Sequence, residues 1–175
     1  MDTLFPVQLA IKMNISIYKY FMTLIYLNIY NNLVKLTRNK NLYNVKKQDT
    51  FYDRIIIIFF HLSFLLKNYK NKETKKNMQM FFDYCVRQIE LSIREIGYGD
   101  ATINKKMKDY INILFSIIDK LDKWELINDI EKKKILSKYI NEDKDPEKYL
   151  IYFEKYSNFL AKNTFKNLSK DILSL

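Results

Sequence analysis

The side chains best suited to nucleophilic, acid–base or metal chemistry are scarce in this chain: 175 residues hold one histidine, His61, and one cysteine, Cys85. A nucleophile needs a base beside it, and a metal centre needs several His, Cys or carboxylate ligands at set spacings. Single copies exclude a His-rich or Cys-based metal centre, and no nucleophile–base constellation is found. Cys85 falls on the apolar stripe of its own segment and reads as a small core residue rather than a thiolate. His61 lies inside the run Ile55–Leu66, seven positions after Arg54, and reads as a hydrogen-bonded core histidine. Asp53 and Asp83 are isolated carboxylates, with no H-x-x-x-H or E-x-x-H pattern around them. The one G-x-G, Gly97-Tyr98-Gly99, has no strand before it and so is no phosphate loop. No catalytic residue, metal site or cofactor site is expected, and a binding protein fits better than an enzyme.

The elements that carry these residues are helices. Only two glycines and two prolines occur, too few turn residues for a sandwich, a barrel or a doubly wound sheet. One cysteine rules out an internal disulfide. Phe82, Cys85/Val86, Ile89, Ile93 and Ile96 recur at steps of three and four. So do Ile103, Met107, Tyr110/Ile111, Leu114, Ile117/Ile118 and Leu121, and again Tyr149, Phe153, Tyr156, Leu160, Leu168 and Ile172, with a gap near Thr164. Ile55 to Ile58 is β-branched, but the breaker-free context from Phe51 to Tyr69 predicts a helix. Gly97–Asp100 should end one helix and open the next, with both glycines suited to positive φ and Asp100 or Thr102 as N-cap. Asn141–Pro146 is a second break, with Asp145 as cap and Pro146 in the first turn. Thr37–Asp49 is a softer, polar one. Trp124 reads as a packing anchor and Lys132–Lys134 as a solvated face. The expectation is one all-α bundle of about six helices without a sheet, with residues 1–27 as an N-terminal extension or amphipathic helix and 28–175 as the helical domain.

Charge adds a partner class. The net charge is +10, which suits an anionic partner. Yet 26 of the 30 basic residues are lysine, and without more arginine sequence-specific DNA recognition is disfavoured. Seventeen asparagines and three alanines mark a composition that inflates lysine by itself. Residues 1–50 carry seven basic and two acidic side chains, so a ribosomal or anionic-membrane contact belongs in the first third. Ile55–Leu66, 12 residues and about 18 Å as a helix, is short of the roughly 20 residues of a span. Ile15–Leu36 includes Lys19 and Lys35 and reads as amphipathic or interfacial. The opening stretch has no basic n-region followed by an apolar run. The expected location is the cytoplasm, with peripheral contact at the inner membrane.

The middle of the chain resembles a known family. Ser92–Tyr110, SIREIGYGDATINKKMKDY, is similar to the pattern S-[LI]-R-E-[MI]-G-x-G-D, a spacer and a lysine-rich helix start in the ubiquinol–cytochrome c chaperone family. Phe81–Glu90 resembles the family's F-D helix ahead of it. Asp49–Arg54 and His61-Leu62 resemble its D-T-x-x-G-R-F and L-H positions, and Arg38 with Asn41–Tyr43 an earlier segment. Asp53 stands where the family has Gly, and Ile55 where it has Phe. The likeness runs from about residue 28 to 122 and weakly to about 160. It implies an assembly chaperone that binds newly made cytochrome b on its way into ubiquinol–cytochrome c reductase, without catalysis, together with a small partner protein and near the ribosome. The motif residues it points to are Arg54, His61, Arg94, Glu95, Gly97, Gly99, Asp100, Lys105, Lys106, Met107 and Lys108. Gly97–Lys108 reads either as a client surface or as a rigid corner, and Arg54, His61 and Arg94 as a buried polar contact joining two helices. The alternative is a basic all-α module that binds ribosomes or nucleic acid.

Overall fold

The computed structural model describes residues 4–39, 42, 50–140 and 145–170, with side chains in the first helix from residue 16 onward. Six α-helices follow one another: α1 Leu4–Thr37, α2 Phe51–Tyr69, α3 Lys75–Glu95, α4 Asp100–Leu121, α5 Asp129–Tyr139 and α6 Pro146–Lys162. Short 3-10 segments lie at Trp124–Leu126 and Phe165–Ser169. No strand occurs among the described residues, so the all-α expectation holds.

Polar residues ahead of each apolar run set the helix starts. Thr50 and Asp53 form a reciprocal capping box at α2: the Asp53 amide donates to Thr50 Oγ1 at 3.2 Å, and the Thr50 amide to Asp53 Oδ2 at 3.1 Å. Such a cap is worth about 1 kcal/mol. Thr74 caps α3 and Asn128 caps α5 with the side-chain acceptor alone, taking the amides of Asn77 and Glu131. Asp145 caps α6 through the Glu147 amide at 3.0 Å, with Pro146 in the first turn, as its sequence requires. The stripe expected to continue through Thr164 does not: α6 stops at Lys162, and Thr164 caps the 3-10 segment that carries Phe165 and Leu168 into the core.

Helix α2 is the centre of the bundle, packed by α1, α4 and α6. Every residue from Ile55 to Leu65 is buried, which explains why its apolar run shows no stripe: neighbours cover it on all sides. Phe64 stacks on Phe153 at 5.4 Å and meets the Trp124 ring edge-on at 5.2 Å. Each such ring contributes roughly 2–3 kcal/mol by leaving water. Trp124 is an anchor, as expected, and its indole N–H donates to Glu154 Oε1 at 3.0 Å. Cys85 is fully buried, and burial pushes its thiol well up.

Helix α1 is held at its C-terminal half. Tyr26, Ile29, Leu33 and Leu36 are buried against α2, α3 and the Phe165–Ser169 segment. The buried Asn32 donates its Nδ2 protons to the carbonyls of Leu168 at 3.0 Å and Lys170 at 2.6 Å. No described helix is long and apolar enough to cross a membrane.

Candidate functional site

The residues singled out by the sequence fall into three places. His61 projects from α2 toward α6 and has no exposed surface. Its Nδ1 lies 2.7 Å from the Ile57 carbonyl oxygen. A carbonyl only accepts, so Nδ1 carries the proton and Nε2 accepts from the Tyr152 hydroxyl, also at 2.7 Å. The rings of Tyr152, Phe153 and Tyr156 surround the imidazole at 4.8–5.5 Å. Burial lowers the His61 pKa from 6.5 to about 4, against the opposing pull of the Ile57 carbonyl, and raises the pKa values of Tyr152 and Tyr156. This is a neutral, satisfied core histidine.

Arg54 and Arg94 do not join it, which corrects the expected three-residue contact. Seven helical residues put Arg54 about 10 Å down the axis from His61, and its side chain lines a cleft between α1, α2 and α3. Arg94 is exposed near the end of α3. It donates from Nε and Nη2 to Glu90 Oε1 at 3.0 and 2.8 Å, and from Nη1 to Asp100 Oδ1 at 2.5 Å. Equal helical phase does not bring residues together when each meets a different neighbour.

The third place is the corner from Arg94 to Lys108. Gly97 takes φ 94°, with its amide donating to the Arg94 carbonyl at 2.9 Å, and ends α3 as expected. Gly99 does not share that conformation. Its φ is −69°, and it is itself the N-cap of α4, without a side-chain bond. Asp100 is therefore the first helical residue rather than the cap. Its carboxylate is drawn across the corner by Arg94, where it still sits favourably at the positive end of α4. Lys106 lies over the Tyr98 ring at 4.6 Å, and Met107 packs against the core. Glu95, Lys105 and Lys108 are exposed. Arg94, Gly97 and Asp100 thus build a rigid turn, while the free face of the corner is lysine-rich.

Two features escaped the sequence reading. Lys132 and Lys133 are not merely solvated: Lys132 bonds Glu154 at 2.7 Å and Lys133 pairs with Glu147, latching α5 to α6. The second is the outer face of α1. Ile17, Tyr20, Phe21, Leu24 and Leu27 lie along one side of the helix and are exposed, Tyr20 by 74% and Ile17 by 62%. The inner side, from Met22 to Leu36, is apolar as well, so this helix shows little periodicity to read. No acidic residue occurs from Leu4 to Thr37. This leaves a run of exposed apolar side chains on an acid-free helix. Lys12, Lys40, Lys46, Lys47 and the Asn41 and Tyr43 motif positions lie outside the described side chains.

The comparisons agree with the motifs. A family model described as Ubiquinol-cytochrome C chaperone matches residues 44–148, more than half of the chain. The match begins after Arg38 and Asn41–Tyr43, so the earlier reach of the likeness to about residue 28 is not supported. No curated protein and no solved structure matches.

Proposed function

This chain belongs to the ubiquinol-cytochrome C chaperone family, and from that premise we propose that it holds newly made cytochrome b during assembly of ubiquinol–cytochrome c reductase. The family role is that of an assembly chaperone, which implies binding of a protein client rather than catalysis. The observation that carries the choice of surface is the exposed strip Ile17, Tyr20, Phe21, Leu24 and Leu27. A client with long apolar segments aggregates unless those segments are shielded, and a side of α1 rich in Leu, Ile and aromatic rings can take an apolar helix. We treat residues 1–27 as an extension of the 28–175 domain, and this extension carries the whole strip. The lysines at positions 105, 106 and 108 offer a separate surface to the client or a partner protein, and the absence of acid from α1 suits a ribosomal contact or a peripheral position on an anionic membrane.

The test is crosslinking in cells followed by capture of the tagged chain. Phe21→Ser with Leu24→Glu should leave the helical content and melting temperature close to wild type, because both side chains are exposed. Captured cytochrome b should fall at least about tenfold, as loss of two apolar anchors implies. Undiminished capture would refute the assignment of the client to this face. Capture of ribosomal RNA or protein alone, with normal cytochrome b in a deletion strain, would favour the basic-module reading instead.

A further inference from the structure

Between the end of α4 and the length of α5 lies a cleft of about 490 Å³ that neither the client strip nor the corner uses. Its apolar part is Ile127 and Ile135, both half-buried. Lys120 and Lys123 line it at the end of α4, and Lys134 and Lys138 line it from α5, all four exposed. Residues three and four apart share a helix face, so Glu131, Lys134, Ile135 and Lys138 make one wall about 10 Å long. The hydroxyls of Ser116 and Tyr139, bonded at 2.6 Å, tie the two helices together.

The lysines of α5 divide by partner. Lys132 and Lys133 turn to α6 and pair with Glu154 and Glu147. Lys134 makes no ion pair among the described residues, and neither does Lys123. The Lys138 ammonium lies over the Tyr139 ring, and that of Lys120 meets its chain neighbour Asp119 at 3.5 Å. Beside the cleft stand Leu126, 85% exposed, and Ile130, 78% exposed, the two most exposed large apolar side chains among the described residues. Leu126 directly precedes Ile127, and Ile130 lies one turn before Lys134.

Lysines around an apolar centre suit a ligand that is acidic and apolar at once. Asp119 and Glu131 also line the cleft, and they decide between a polyanion and a protein. A nucleic-acid backbone carries a charge at every step and would meet both carboxylates, and no arginine lines the cleft to fork onto a phosphate. A protein helix sets its charges one by one, so it can face the lysines with acids and leave the two carboxylates unopposed. We propose that this cleft docks an acidic amphipathic helix of a partner protein. Its apolar stripe lies on Leu126, Ile127, Ile130 and Ile135, and its Asp or Glu side chains stand beside Lys123 and Lys134.

Methyl NMR on the full chain tests this with two helical peptides of about four turns, each with leucine along one stripe. One carries glutamate on its flanks and the other lysine. The glutamate peptide should move the methyls of Leu126, Ile127, Ile130 and Ile135 saturably and bind at least about tenfold more tightly than the lysine peptide. Lys123→Glu with Lys134→Glu should melt close to wild type, because both side chains are exposed and without ion pairs, and should reverse that preference. A reversed preference cannot come from a damaged fold. Ile130→Ser should weaken the glutamate peptide by roughly severalfold and keep the preference. An unstructured oligouridylate should not displace the glutamate peptide. Equal binding of the two peptides, shifts confined to methyls outside the cleft, or an unchanged preference in the double lysine variant would overturn the proposal. So would displacement by the oligouridylate, or movement of the same methyls on dilution alone, which would give the cleft to nucleic acid or to a second copy of this chain.

Discussion

The single histidine offers a clean measure of how strongly the core resists charge. His61 is neutral in the fold because burial brings its pKa from 6.5 to about 4. The sign follows from proton counting: between those values the unfolded chain binds a proton that the folded chain does not, so stability falls as pH falls from 6.5 toward 4 and is unaffected by this residue above it. Every pH unit between the two values is worth roughly 1.4 kcal/mol, so the full penalty is about 3 kcal/mol, of which about 2 kcal/mol is in place at pH 5. Carboxylates also titrate in acid, so the comparison needs a variant that cannot charge. His61→Gln keeps an acceptor for Tyr152 and removes the titration. Urea unfolding at pH 7.5 and pH 5 should show wild type losing about 2 kcal/mol more than His61→Gln over that interval. Proton NMR gives an independent reading, because one histidine yields one ring signal: it should stay flat down to pH 5. An inflection near 6.5, or equal losses in wild type and variant, would refute the argument that burial among Tyr152, Phe153 and Tyr156 governs this group.

Three further substitutions probe the frame. Gly97→Ala forces a side chain into φ 94° and should cost about 1–2 kcal/mol, whereas Gly99→Ala, at φ −69° with open space around it, should melt within a degree or two of wild type. Asn32→Ala leaves the carbonyls of Leu168 and Lys170 without their donor and should cost about 1–3 kcal/mol. Hydrogen exchange in that variant should speed up in Phe165–Ser169 and in the inner half of α1 but not in α4.

The fold was largely legible because local chemistry and burial agree in it. Phe51–Tyr69 reads as a helix from the lack of breakers, and Asp145-Pro146 reads as a helix start from one acceptor and one missing donor; both hold. Single residues were misjudged where position along the axis matters more than helical phase. Arg54 and His61 share a phase, but Arg54 lines the cleft between α1, α2 and α3 while His61 meets α6. At the corner, Asp100 could serve either the α4 amides or a neighbouring cation, and Arg94, six residues back, takes it. The latch between Lys132 and Glu154 joins residues 22 apart, a distance over which sequence patterns carry no pairing information. The strip on α1 was hidden because both sides of that helix are apolar, and only packing says which side is covered.

The way α1 is fastened has a consequence for how the chain is made. The inner face of α1 is closed by Phe165–Ser169, and Asn32 bonds carbonyls 136 and 138 positions later. Translation therefore delivers these partners more than a hundred residues apart. The first helix can settle on α2 and α3 once those have formed, but this part of its cover is in place only after Phe165–Ser169 has been made. A nascent chain that stalls after α6 would hold all six described α-helices and still lack the segment that completes the cover of the first, leaving part of its inner face open to aggregation as well as the outer one.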